Sequence, residues 1–139
     1  MSDKYFVDSN ILIYAHTNLD IRKQKIAQQT LSVGSFFIST QVINEFINAS
    51  RRKFKKDWKE IKNVVDEISS YSDVQTVTLF TIEKAIELSI QYKYSYYDTL
   101  IIAAALGCGC TILYSEDLQH KQKISKTLSI INPFFELLS

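Results

Sequence analysis

Three short apolar runs, Tyr5-Phe6-Val7, Phe36-Phe37-Ile38 and Thr111-Ile112-Leu113-Tyr114, each stop abruptly at polar residues, and helical patterns separate them. Runs this short, rich in aromatic and β-branched residues, read as buried strands. Between them apolar residues recur at three- and four-residue intervals. Ile11, Leu12, Tyr14 and Ala15 begin one helical pattern, and Ile21 to Leu31 carries a second. Thr40 suits the N-cap of a third, which bears Val42, Ile43, Phe46, Ile47 and Ala49. Asp57 to Tyr71 sets Trp58, Ile61, Val64, Val65 and Ile68 on one helix face. Val74 to Leu79 alternates as a strand would, and a helix follows from Thr81 through Tyr92. Asp98 heads the apolar helix Thr99 to Leu106, Gly107 is its expected stop, and Leu128 to Ile131 reads as a last edge strand. Strands alternating with helices predict an α/β sandwich around a mainly parallel sheet.

Length sets the scale: 139 residues without a linker, repeat or low-complexity segment predict one domain, residues 1–139. A net charge of +1, from 16 basic and 15 acidic residues, gives no global attraction to nucleic acid, so any such site must come from local clustering. Cys108 and Cys110 have one residue between them and no other cysteine to pair with; a disulfide across so tight a loop is strained, and a reduced thiol pair is expected. The start, Met1 to Lys4, shows no signal peptide, and the longest apolar run, Leu100 to Leu106, falls far short of the ~20 residues of a membrane span. A cytoplasmic protein with no membrane partner is expected.

Open parallel sheets bind ligands beyond the C-terminal ends of their strands. Asp8, Ser39-Thr40 and Ser115 to Asp117 follow the three runs, so they should line one sheet edge. Glu45 lies about a turn and a half into the helix after the second strand. The helix headed by Asp98 leads into the third strand, which sets its start near that same edge. Four carboxylates, Asp8, Glu45, Asp98 and Asp117, are thus candidates to converge. Such groups repel one another unless a cation is bound, and hard oxygen ligands suit Mg²⁺ or Mn²⁺. A bound ion of this kind polarises a phosphodiester and makes hydroxide available near neutral pH. One ion or two both satisfy the pattern. Each residue also has a structural reading: Asp8 and Asp98 as helix N-caps, Asp117 as a turn residue, Glu45 as a surface position.

The sequence around these acids resembles the PIN domain, and more closely the VapC-like toxins of toxin–antitoxin pairs, over nearly the whole chain. The resemblance rests on Phe6-Val7-Asp8-Ser9-Asn10-Ile11-Leu12-Ile13-Tyr14, on Ser39-Thr40-Gln41-Val42-Ile43-Asn44-Glu45-Phe46 and on Tyr96-Tyr97-Asp98-Thr99-Leu100-Ile101-Ile102-Ala103-Ala104-Ala105. Tyr114-Ser115-Glu116-Asp117-Leu118-Gln119-His120 and the tail Ile131-Asn132-Pro133-Phe134 complete it. It implies a three-layer sandwich with a central, mainly parallel sheet of about five strands flanked by helices. It also implies a Mg²⁺-dependent endoribonuclease acting at a four-carboxylate pocket. Asp8 and Asp98 would be the main metal ligands, Glu45 and Asp117 would complete the pocket, and Asn10 and Ser115 would orient ligands or phosphate. Family members commonly form homodimers and are silenced by a small antitoxin. Two points leave room. Lys121 stands where the subgroup usually has glycine, so the following loop is expected to differ in shape, and Glu116 adjoins Asp117, which is preferred by motif position alone.

Arg51, Arg52, Lys53, Lys55, Lys56, Lys59 and Lys62 form a basic stretch past Glu45. Arg52 and Lys56 are candidates to track an RNA backbone; a solvated helix face and a landing site for an acidic antitoxin segment are the other readings. Tyr92, Tyr94, Tyr96 and Tyr97 suit core packing or a dimer contact better than base stacking, and neither His16 nor His120 is needed for the chemistry. Two other functions were weighed. A haloacid-dehalogenase-like phosphatase needs an acid two residues after Asp8, and Asn10 cannot serve. A catalytically degenerate PIN module that binds RNA or a protein partner is the alternative that stays open.

Overall fold

The computed structural model describes residues 3–138, with side chains to Leu137. The chain runs β1 (Tyr5–Val7), α1 (Ser9–Ala15), α2 (Ile21–Leu31), β2 (Phe36–Ser39), α3 (Thr40–Arg52) and α4 (Trp58–Tyr71). It continues through β3 (Ser72–Gln75), α5 (Leu79–Gln91), α6 (Tyr96–Gly107), β4 (Ile112–Tyr114), β5 (Lys123–Ile124) and β6 (Leu128–Ile131), closing on a short 3₁₀ turn, Phe135–Leu138. The strands form one sheet in the order β3-β2-β1-β4-β6-β5. Every pairing is parallel except β5 with β6. The fold is the expected α/β sandwich, with six strands rather than about five.

Central position explains why β1 carries no polar residue. Tyr5, Phe6 and Val7 are all buried, as a strand covered on both faces must be. Helix α6 shows the same logic: Thr99 to Ala105 are buried without a break, so this helix is apolar all round and enclosed. Phe6, Phe36, Ile38, Ile101, Ile102 and Leu113 make the middle of the core.

Several boundaries differ from the sequence reading, each for an identifiable reason. Ser39, not Thr40, caps α3, its Oγ accepting from the Val42 N–H at 3.3 Å. The Thr40 hydroxyl instead accepts from the Val77 N–H at 3.1 Å, tying the start of α3 to the chain leaving β3. The expected strand Val74–Leu79 is in fact β3 followed by a turn, because Thr78 and Thr81 form a reciprocal capping box that starts α5 at Leu79. Ser95 caps α6, so Asp98 lies in its first turn and is not a cap. Gly107 is inside α6, and the stop comes at Gly109, whose φ is +74°.

Strand β6 is not at the edge, since the two-residue β5 pairs beyond it. The β5–β6 hairpin turns on Ser125 and Lys126, both at positive φ, closed by a Thr127 N–H to Ile124 carbonyl bond of 3.2 Å. That geometry is a type I′ turn, usually signalled by Asn-Gly. Among the described residues no helix is long and apolar enough to cross a membrane.

Candidate active site

Strand register builds the centre of the site. Val7 lies opposite Tyr114 across the β1–β4 pair, and the Asp8 N–H extends that ladder by donating to the Tyr114 carbonyl at 3.0 Å. The next residue on each strand is therefore forced to be a neighbour, and these two are Asp8 and Ser115. The Ser115 hydroxyl donates to Asp8 Oδ2 at 2.8 Å, and both side chains are buried. The other oxygen, Oδ1, accepts from the Ser9 N–H at 2.7 Å, so Asp8 also caps α1. The functional and the capping readings of Asp8 thus share one geometry.

From this pair hydrogen bonds run outward in two directions. The Ser9 hydroxyl donates to Glu45 Oε1 at 2.8 Å, while Gln41 Nε2, one turn earlier on α3, donates to Glu45 Oε2 at 3.1 Å. On the other side the Asp117 N–H donates to Ser115 Oγ at 3.3 Å, and Asn10 Nδ2 donates to Asp117 Oδ2 at 3.1 Å. Glu45, Ser9, Asp8, Ser115, Asp117 and Asn10 consequently form one continuous chain of polar contacts. Three of the four predicted carboxylates belong to it.

The same contacts separate Glu116 from Asp117. Glu116 accepts from the Tyr14 hydroxyl at 2.9 Å and is ion-paired with Lys23, whose ammonium also lies over the Tyr14 ring. Its backbone N–H donates to Asn10 Oδ1 at 3.2 Å, so Asn10 holds both residues of the turn. Glu116 is therefore neutralised on one side. Asp117 is exposed and lines an open hollow with Lys93, Tyr94, Leu118, Gln119 and Gln122.

Electrostatics single out Asp8. Burial is the main cause that raises its pKa, to about 7, and hydrogen bonds from Ser115 and Ser9 pull the other way. The charges of Glu45 and Asp117 push it further up, which shows that the three acids sense one another. The contacts made to these three carboxylates are hydroxyls, amides and backbone N–H groups, and Lys23, the lysine beside the turn, is committed to Glu116. A buried carboxylate with acidic neighbours and no cation is a site short of positive charge.

Asp98 stands apart. It is half-buried in the first turn of α6, and no contact joins its carboxylate to the other three among the described residues. Among those residues, no group of three or more His, Cys, Asp or Glu side chains is arranged to hold a metal ion. The loop before α6 is bonded to the segment that follows Asp117. The Tyr94 hydroxyl accepts from the Gln119 N–H at 3.1 Å and bonds to Gln122, and the Tyr92 hydroxyl accepts from the Ser125 N–H at 3.1 Å. Tyr92 and Tyr94 are thus spent on the segment after Asp117, while Tyr96 and Tyr97 remain exposed, edge to face at 5.4 Å.

Arg52 follows Glu45 on the same helix by seven residues, ~10 Å along the axis, and is exposed. Lys56 pairs with Glu60 at 3.5 Å and lines a narrow groove with His16, Phe46 and Ile61. His16 Nδ1 bonds to the Leu12 carbonyl, and His120 Nδ1 accepts from the Asn132 N–H while its ring stacks on Phe135 at 4.1 Å. Both histidines have local structural work. Lys121 has φ +68°, a left-handed backbone conformation that glycine favours.

Ser9, Gln41, Tyr14 and Lys23 were not singled out from the sequence. Only Ser9 carried a signal, as the hydroxyl directly after Asp8. Gln41 lies one turn before Glu45 on α3 and so meets it by helical spacing, whereas Tyr14 and Lys23 reach Glu116 only through the packing of α1 and α2.

The family model described as PIN domain matches residues 5–124. Solved structures with similar folds are toxins or toxin-containing complexes. VapC20 of Mycobacterium tuberculosis, described as a sarcin–ricin-loop-cleaving toxin, superposes with a TM-score of 0.69 at 20% identity, covering 82% of this chain and 90% of that one. A toxin–antitoxin complex from Klebsiella pneumoniae gives 0.70 at 17% identity, covering 94% and 97%. VapBC2 of Rickettsia felis, bound to a promoter DNA fragment, gives 0.65 at 17% identity, covering 91% and 96%. No curated protein matches the chain in sequence.

Proposed function

Because this chain belongs to the PIN-domain family, we propose that it is a metal-dependent endoribonuclease, the toxin of a toxin–antitoxin pair, with its site at Asp8, Glu45, Asp98 and Asp117. The observation that carries the reading is the polar chain joining Glu45, Asp8 and Asp117 around a buried carboxylate that no basic side chain pairs with among the described residues. Mg²⁺ keeps several waters and needs only one or two carboxylates, so Asp8 and Asp98 would be its main ligands, with Glu45 and Asp117 completing the pocket partly through waters. A bound Mg²⁺ or Mn²⁺ supplies Lewis acidity toward a phosphodiester and toward a water.

The protein's own part is positioning. Ser115 and the Ser9 N–H fix the two Asp8 oxygens, Asn10 sets the Asp117 turn, and Ser9 with Gln41 aims Glu45. The hollow beside Asp117 would open the site to a strand, and Arg52 at the end of α3, with Lys56 in the loop that follows, would offer positive charge to its phosphates. Substrate RNA, one polypeptide domain over 1–139 and a cytoplasmic location belong to the same reading. The sarcin–ricin loop named for VapC20 is the first substrate to try. Complexes among the structural matches make a small antitoxin the expected protein partner.

A second copy of the chain is the expected cover for Leu79, Ile86 and Ile90. These form one exposed stripe along α5, at 70%, 51% and 83% exposure. An Ile90→Arg variant should therefore run as a monomer in sedimentation.

Purified protein is expected to cut RNA with Mn²⁺ or Mg²⁺ and to stop on chelation. Asp8→Asn and Asp98→Asn should fold and lose activity. Full cleavage by either variant would overturn the site. The degenerate-module alternative predicts no specific thermal stabilisation by Mn²⁺, whereas binding to the native state raises the melting temperature.

A further inference from the structure

The turn between α6 and β4 serves none of the chemistry above, yet it carries both cysteines. It is a Schellman cap. The Cys110 N–H donates to the Ala105 carbonyl at 3.1 Å, the Gly109 N–H donates to the Leu106 carbonyl at 3.1 Å, and Gly109 takes the left-handed conformation such a cap requires. The Cys108 N–H adds a bond to the Ala104 carbonyl at 3.2 Å, and Lys4 Nζ donates to the Cys108 carbonyl at 2.9 Å. Cys108 is thus the last cap residue and Cys110 lies two positions beyond it. These backbone bonds hold the two side chains side by side, with their sulfurs 3.4 Å apart.

The two thiols are not equivalent. Cys110 is 2% exposed and packed in the core, with Asp73 adding negative charge nearby. Cys108 is half-buried and opens on a surface hollow lined by Gln75, Thr76, Lys84, Leu106 and Gly107. A hydrogen bond from the Cys110 thiol lowers the Cys108 pKa, with Lys4 contributing, and burial together with the Cys108 neighbour raises that of Cys110. One sulfur is accessible and inclined to be thiolate; the other is a retained thiol beside it. Reactive dithiols are built on that asymmetry.

We propose that Cys108-Gly109-Cys110 is a thiol-modification site that low-molecular-weight disulfides oxidise to an intrachain disulfide, with Cys108 attacking and Cys110 resolving. In the first step Cys108 thiolate attacks one sulfur of the external disulfide, forming a mixed disulfide and releasing one external thiolate. In the second, Cys110 loses its proton to solvent and attacks the Cys108 sulfur, closing the ring and releasing the second external thiolate. Two protein thiols are oxidised by two electrons, and one external disulfide is reduced to two thiols. The single residue between the cysteines leaves the closed ring strained, and strained disulfides are the readily reduced ones. The modification is therefore reversible by the free thiol.

The test exposes the full chain to oxidised glutathione, follows alkylation of free thiols by intact mass, and maps the peptide containing both cysteines. The parent is expected to lose two hydrogens, take up no alkylating agent, and return to the dithiol with reduced glutathione. Cys110→Ser should stop at one glutathione adduct on Cys108, and Cys108→Ser should react roughly tenfold more slowly or worse. Native alkylation of the unmutated chain should label Cys108 before Cys110, an ordering that needs no variant to fold. A parent that resists oxidised glutathione, stops at the adduct, or links two chains would overturn the proposal, as would equal labelling of the two cysteines.

Discussion

Asp8 and Asp98 both lie near the start of a helix, and both were expected to ligate metal, yet the molecule treats them differently. Asp8 sits where two parallel strands run side by side, so the register that pairs Val7 with Tyr114 also delivers Ser115 to its carboxylate. Asp98 sits one turn into α6, where Ser95 takes the capping position and the carboxylate makes no contact with the other acids. The loop before α6 is tied by the Tyr92 and Tyr94 hydroxyls to the segment after Asp117. A sheet edge fixes a side chain through backbone register, while a helix start fixes only its own first turn. The first acid is thereby held at both oxygens and raised in pKa by its burial.

The sharpest way to break this contrast uses the same substitution at both positions. Asp8→Asn and Asp98→Asn should each lower RNA cleavage by at least roughly a hundredfold, the scale on which removing one charge-stabilising group acts, because each would take a negative ligand from the proposed ion. Their stabilities should diverge. Asp8→Asn removes a buried charge and should stabilise the metal-free protein at pH 8 by about 1–2 kcal/mol, after allowance for one weakened hydrogen bond. Asp98→Asn should change the melting temperature little. Equal shifts in denaturant titrations would erase the distinction.

The pH dependence follows from the same burden. The Asp8 pKa is about 7 when folded, against an ordinary value near 3.8, so the folded state holds this proton more tightly than the unfolded chain. Its contribution to stability is fully present below about pH 4 and is lost as pH rises through 7, with a limiting slope of about 1.4 kcal/mol per pH unit between those values. Metal-free protein should accordingly melt lower at pH 8 than at pH 6, Mn²⁺ should narrow the gap, and Asp8→Asn should remove it. Calorimetry across that range with chelator and with Mn²⁺ is the measurement.

Ser115→Ala probes the contact that Asp98 lacks. Loss of a hydroxyl that orients the acid should weaken Mn²⁺ binding about 10- to 100-fold, read by isothermal titration. Unchanged affinity would mean that register alone positions Asp8. The smallest expected effect lies in the neighbouring loop, where Lys121→Gly should stabilise by roughly 0.5–1 kcal/mol by relieving the left-handed backbone, with cleavage unaltered.

How much of this was readable in advance varied with the kind of signal. Tyr5 to Val7, Phe36 to Ile38 and the apolar helix through Ala105 declared themselves because burial on both faces leaves no place for polar residues. Strand β5 was missed because its turn, Ser125-Lys126, reaches positive φ with neither glycine nor asparagine. The extent of β3 was misjudged because Val74 to Leu79 has strand-like alternation that the Thr78–Thr81 box overrides. At the site, motif position led to Asp8, Asn10, Glu45, Ser115 and Asp117, whose side chains do lie in one network. The pairing of Glu116 with Lys23 and Tyr14 was invisible, because it depends on where α2 packs.

The bond from Ser115 to Asp8 spans 107 positions, and that separation governs when the pocket can exist at all. A ribosome adding roughly 5–20 residues per second, once past Asp8, needs several seconds more before the hydroxyl emerges to meet it. Throughout that interval the nascent chain carries the acid without the strand that buries it. A message broken before the Ser115 codon yields only such incomplete chains, so its products lack the assembled pocket however long they survive.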